Sequence, residues 1–196
     1  MMAVLMTSGG VRPNRFTPAD YIKSSGTQYI DAGFKPNSNT RVVMDCDLIS
    51  SAKYPTCFGA WNSTSGSNSF VYVYDTDTTG ILFYGNKSAN FSVSTYQGRH
   101  LVDANKNVLS IDGVTKATAT ANSFACSYNL YLFGFNSVGA VDNLTAMKLY
   151  SCQIYDNGTL VRDFAPCYDP DGVACLYDKV SKEYYYNAGS GEFEAG

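Results

Sequence analysis

Apolar and polar residues alternate with a period of two along most of this chain. From Thr40 to Ile49, Val42, Met44, Cys46 and Leu48 share one side while Arg41, Asp45 and Asp47 share the other, as in a half-buried strand. Phe70, Tyr72 and Tyr74 line one side of the next clear run, and Val71 and Val73 line the other. Tyr29–Asp31, Cys57–Trp61, Ile81–Tyr84, Arg99–Asp103 and Val108–Asp112 read as further short strands. Asn129–Asn136 reads as one aromatic-rich strand and Ala146–Asp156 as a long one, with Leu160–Cys167, Ala174–Tyr177 and Tyr184–Asn187 after it. Asp112-Gly113 and Asn157-Gly158 are tight-hairpin pairs, because both accept the positive φ that such turns need. No window carries a helical period. About a dozen short strands with regular turn signals predict an all-β fold, a two-sheet antiparallel β-sandwich of jelly-roll type. Residues 1–18, with Thr7-Ser8-Gly9-Gly10, Pro13 and Pro18, show no sustained periodicity and read as an N-terminal arm or linker ahead of one domain over 19–196.

Composition narrows the function more than the fold. In 196 residues, charged side chains make up only 16%, and 14 Lys+Arg against 17 Asp+Glu leave a net charge of −3. That balance argues against nucleic acid or an anionic membrane as partner. No apolar run approaches the length of a membrane span. The opening Met1–Met6 has no basic residue ahead of it and is shorter than a secretory core, so no signal peptide is expected. Glu183, Glu192 and Glu194 are the only glutamates, which removes any mechanism needing paired glutamates on a central strand.

The candidate chemistry is sparse. Cys46, Cys57, Cys126, Cys152, Cys167 and Cys175 include no C-x-x-C pair, and His100 is the lone histidine, so no zinc site is expected and the thiols read as buried small apolar groups of a reducing compartment. Cys167 and Cys175 flank the turn Asp169–Gly172 and could face each other across a hairpin. Asp75-Thr76-Asp77-Thr78-Thr79-Gly80 offers alternating oxygens that could hold Ca²⁺, yet such a hairpin turn needs no metal. Asp45 and Asp47 could serve a glycoside hydrolase or simply face solvent. His100 has no motif around it that would mark a Ser–His–Asp triad. Asn-x-Ser/Thr sequons start at Asn62, Asn86, Asn90, Asn143 and Asn157, and without a secretory signal they read as accidents of an Asn-, Ser- and Thr-rich surface.

Two stretches carry a family resemblance. One is Tyr21-Ile22-Lys23-Ser24-Ser25-Gly26-Thr27-Gln28-Tyr29-Ile30-Asp31-Ala32-Gly33-Phe34. The other is Ile154-Tyr155-Asp156-Asn157-Gly158-Thr159-Leu160-Val161-Arg162-Asp163-Phe164-Ala165-Pro166-Cys167 with Gly172-Val173-Ala174-Cys175-Leu176-Tyr177-Asp178. Together they resemble the laminin-G-like, concanavalin A-like domains of gut bacterial and phage proteins. The resemblance spans Tyr21 to the C-terminus, by motif at its ends and by strand pattern in the middle. It implies two curved sheets packed face to face, and carbohydrate binding or adhesion rather than catalysis. The Glu-x-Asp-x-x-Glu strand of glucanases in the wider fold is missing here.

Sugars are recognised by aromatic faces together with amides and carboxylates. Trp61, Tyr72, Tyr74 and Tyr84, with Asn62, Asn86 and Asn68 in adjoining loops, are the expected ligand-binding set, unless the tyrosines belong to the core. The expected role is a non-catalytic module meeting surface glycans. A phage virion protein, a capsid or tail decoration, is the expected setting, with the N-terminal arm docking on capsid or tail proteins, and a homo-oligomer is compatible with it. The alternatives are a purely architectural virion protein that binds no sugar, a bacterial surface adhesin domain, and a glycoside hydrolase using aspartates.

Overall fold

A computed structural model describes residues 16–50, 53–63, 67–76, 78–94 and 97–196. The first strands in chain order are β1 (Thr17–Pro18), β2 (Ile22–Ser25), β3 (Ile30–Asp31), β4 (Thr40–Leu48), β5 (Thr56–Trp61), β6 (Ser69–Thr76) and β7 (Thr79–Gly85). Next come β8 (Lys87–Ser92), β9 (Gly98–Asn105), β10 (Val108–Ile111), β11 (Val114–Thr118), β12 (Tyr131–Leu132), β13 (Phe135–Ser137) and β14 (Ala140–Asp142). The chain closes with β15 (Ala146–Asp156), β16 (Thr159–Tyr168), β17 (Ala174–Asp178), β18 (Glu183–Tyr185) and β19 (Glu194–Ala195). The described residues contain no helix.

The strands form two sheets. The first runs β11-β10-β9-β4-β15-β16-β17-β18, with β2 also on β15, β19 on β2 and β1 on β16. The second runs β14-β13-β5-β6-β7-β8, with β12 joining β5 to β3. Pairing is antiparallel except for the short contact of β13 with β5. The sheets pack face to face, so the chain is an all-β two-sheet sandwich. The alternation of β4 comes out as the sequence predicts: Val42, Met44, Cys46 and Leu48 point into the core and Arg41, Val43, Asp45 and Asp47 point away. Asn157 and Gly158 take φ of 48° and 82°, the two positive values of a tight hairpin turn.

Three expectations change. The single strand expected over Asn129–Asn136 is broken into β12 and β13, with Phe133 between them at a φ of 69°. Local composition is strand-like there, but β12 runs against β5 while β13 runs along it, so the chain must reverse between them. Strand β8 went unread because Lys87, Ser88, Asn90 and Ser92 all face solvent and only Phe91 is buried, leaving no apolar alternation. The Phe91 ring fills the space beside Gly80, where a Cβ would lie 2.1 Å from its Cζ. Finally, Thr17 and Pro18 pair with Tyr168 and Cys167, so the sheet begins inside the stretch read as arm. Residues 1–15 lie outside the described residues.

Candidate functional site

The most distinctive surface lies on the outer face of the second sheet. The register sets it: Gly59 lies opposite Val71, Trp61 opposite Ser69, and Val71 opposite Phe83. These positions share the outer face, while Phe58, Phe70, Tyr72, Leu82 and Tyr84 share the inner one. Trp61 stacks on Phe83 with centroids 5.5 Å apart and meets Phe135 at 5.4 Å. Val71, Val73 and Phe135 are buried beneath, and Tyr54, Trp61, Ile81 and Phe83 form the half-buried upper layer. Gly59 makes the close packing possible, because a Cβ there would sit 2.8 Å from Phe135 Cβ and from both Val71 methyl groups. The Trp61 Nε1–H is buried and meets no acceptor among the described residues, so stacking alone positions the indole.

Polar groups rim this platform. Asn90 lies opposite Ile81 and Ser88 opposite Phe83, both exposed on the edge strand β8. Asp142 lies opposite Phe135 on the other edge. Lys53 is placed over the Tyr54 ring at 4.6 Å, so charge lies at the platform's margin on both sides. Flat aromatic surface with amide and hydroxyl groups at its margin can stack on the apolar face of a sugar and bond its hydroxyls.

The predicted residues divide sharply. Trp61 is on the platform. Asn86 is exposed in the turn between β7 and β8. Asn62 is structural: its carbonyl accepts the Ser127 backbone N–H at 2.6 Å and its amide donates to the Ala125 carbonyl. Asn68 is a turn residue at a φ of 50°, its carbonyl accepting the Cys126 thiol. Tyr72, Tyr74 and Tyr84 are buried between the sheets and offer no ring to a ligand. Rings of this size fill the roughly 10 Å gap between packed sheets, and the smaller valines go outside. Their hydroxyls are satisfied internally, Tyr72 donating to Tyr74 and Tyr84 donating to the Ser38 carbonyl at 2.6 Å. Burial pushes all three phenols up in pKa. Phe83, Phe135, Tyr54 and Asn90 were missed. The alternation was visible, but choosing the outer face required knowing which side met the other sheet.

The hydrolytic candidates find other employment. Arg99 holds Asp45 with two bonds, Nε to Oδ1 at 2.9 Å and Nη2 to Oδ2 at 2.8 Å, and its guanidinium lies 3.6 Å from the Tyr150 ring centroid. Asp45 is thus an ion-pair partner on the first sheet's outer face, and Asp47 lies between Arg99 and Lys148 in register. His100 Nδ1 meets Asp112 Oδ2 at 2.7 Å, and this bond holds the Asp112 carboxyl below its usual pKa. The pair borders a cavity of about 300 Å³ with Tyr74, Ser92 and Ser94, but no serine among the described residues shares a recorded bond with His100. Asp77 of the calcium candidate lies outside the described residues. Among the described residues, no group of three or more His, Cys, Asp or Glu could hold a metal ion.

A second concavity of about 690 Å³ lies between the Asp169–Ala174 turn and the C-terminal segment, walled by Tyr168, Val173, Tyr186, Asn187, Glu192 and Phe193. Its polar groups are mostly committed to the fold: the Tyr186 hydroxyl donates to Asp169 at 2.9 Å and the Tyr168 hydroxyl to the Ala195 carbonyl at 2.8 Å. Compared with known proteins, the chain matches no family model and no curated protein.

Proposed function

We propose that this domain is a non-catalytic carbohydrate-binding module whose ligand lies across Trp61 and Phe83, the half-buried rings that rest on buried Phe135. One observation carries the reading: the half-buried rings of Trp61 and Phe83 stack on the outer face of the second sheet, beside exposed Asn90 and Ser88. The resemblance of the opening strand and closing hairpin to laminin-G-like domains supports it, and suggests a phage virion surface or a bacterial cell surface as the setting. The test is a glycan-array screen of the folded protein beside Trp61→Ala. A glycan bound by the parent and lost in the variant supports the module. A blank array from folded protein removes it.

One observation favours a second reading. Val71, Val73 and Ile81 give the platform an aliphatic half beside its rings, which suits contact with another protein. In an architectural role the same face would meet a neighbouring subunit, and the array would be blank while Trp61→Ala weakened assembly.

A further inference from the structure

Four of the six thiols face the interior of the sandwich and two do not. Cys46, Cys57, Cys126 and Cys152 belong to the inter-sheet core, where burial pushes the Cys126 thiol up to about 12. Cys167 and Cys175 belong to neither apolar cluster. Strand alternation explains this: Phe164 and Leu176 point into the core, so Cys167 and Cys175, an odd number of steps away, point out of it. Both are nevertheless fully buried. They share their face with Ala165, Tyr177 and Tyr184, and Phe16 stacks on Tyr177 at 5.0 Å.

The two cysteines lie directly opposite each other in the antiparallel pair of β16 and β17. Residues so placed have Cα atoms about 4.5–5.5 Å apart, inside the roughly 4.4–6.8 Å range that a disulfide spans. The sulfurs already lie 3.6 Å apart. The hydrogen bond shared by the two sulfurs lowers the Cys167 pKa and so favours a thiolate there.

We propose that Cys167 and Cys175 are a redox modification site, oxidised to a cross-strand disulfide by a small-molecule disulfide such as oxidised glutathione. When local opening of the β16–β17 pair uncovers it, the Cys167 thiolate attacks one sulfur of the oxidant, forming a mixed disulfide and releasing one glutathione thiolate. Deprotonated Cys175 then attacks the Cys167 sulfur and the second glutathione thiolate leaves. The two protons lost by the cysteines end on the two glutathiones, so one disulfide is reduced and one is made. The new bond staples β16 to β17 beside Pro18, which lies opposite Cys167, and beside Tyr168 and Ala174, which wall the larger concavity. Oxidation therefore locks the place where the N-terminal strand joins the sheet.

The test equilibrates the full chain with glutathione redox buffers and reads intact mass, non-reducing peptide maps and thermal unfolding. The expected result is loss of two hydrogens, one cross-link joining 167 and 175, and a Tm raised by roughly 5 °C over the reduced protein. Cys175→Ser should abolish the cross-link and the rise, whereas Cys46→Ala, which touches only the interior thiols, should keep both. A folded protein whose six thiols all stay free in excess oxidised glutathione overturns the proposal, as does a cross-link mapped to any other pair.

Discussion

On the first sheet's outer face, Arg41 grips Asp103 and Arg99 grips Asp45, each through two nitrogens, and Arg99 lies over Tyr150. On the second sheet's outer face, the corresponding layer is Trp61, Phe83, Phe135, Ile81 and two buried valines. The arginines of the first face thus have carboxylate partners within the chain and stay partly exposed. The centre of the second face offers dispersion and area, with half-buried rings at its top and the polar groups Asn90, Ser88 and Asp142 at its margin. Apolar area of this kind gains free energy when covered. The contrast separates a face built from ion pairs from one built from stacked rings and aliphatic groups.

The comparison can be broken by mutation. Phe135→Ala removes a buried ring from beneath Trp61 and should cost about 3 kcal/mol in urea unfolding, with glycan binding lost as well; a change under about 1 kcal/mol would mean the platform is not packed as a unit. A similar cost, about 3 kcal/mol, is expected for Asp178→Ala. Asp178 is fully buried and its carboxylate accepts N–H bonds from Asp163, Val180 and Ser181. Asp178 also lies 3.8 Å from Arg162 Nε, so the loss would leave that guanidinium without its buried carboxylate.

The pH dependence sharpens the same point. Burial pushes the Asp178 carboxyl up, but the N–H bonds together outweigh it and its pKa lies below the ordinary 3.8. Asp169 is lowered too, chiefly by the Val173 N–H. A carboxyl whose folded pKa is depressed contributes stability above its unfolded pKa, and that contribution is lost as pH falls through the folded value. Unfolding midpoints should therefore be level near neutrality and decline below about pH 4, with Asp178→Asn flattening the decline.

Trp61→Ala removes a half-buried ring packed on Phe83 and Phe135 and should cost less than Phe135→Ala, about 2 kcal/mol, while weakening glycan binding at least tenfold, about 1.4 kcal/mol. The smallest effect is expected for Asp45→Asn, which breaks an exposed ion pair. Its unfolding midpoint should barely move and its glycan profile should match the parent. Loss of binding in Asp45→Asn would shift the site to the first sheet.

The fold class and much of the strand plan are legible in the amino-acid pattern alone. Period-two alternation in β4 and the Asn157-Gly158 pair are local signals, because alternation and turn geometry act over a few residues. The same locality explains the failures at β8, whose edge position removes the need for apolar residues, and at Phe133, whose reversal is imposed by β5. Only the tertiary structure decided which side of β6 is inside. Alternation says that Tyr72 and Val71 point apart, never which one meets the other sheet, and that choice turned three candidate sugar-binding tyrosines into core and brought Phe83 and Phe135 to Trp61. The same holds for Cys167 and Cys175: their spacing allowed a meeting, but the register of β16 on β17 made it.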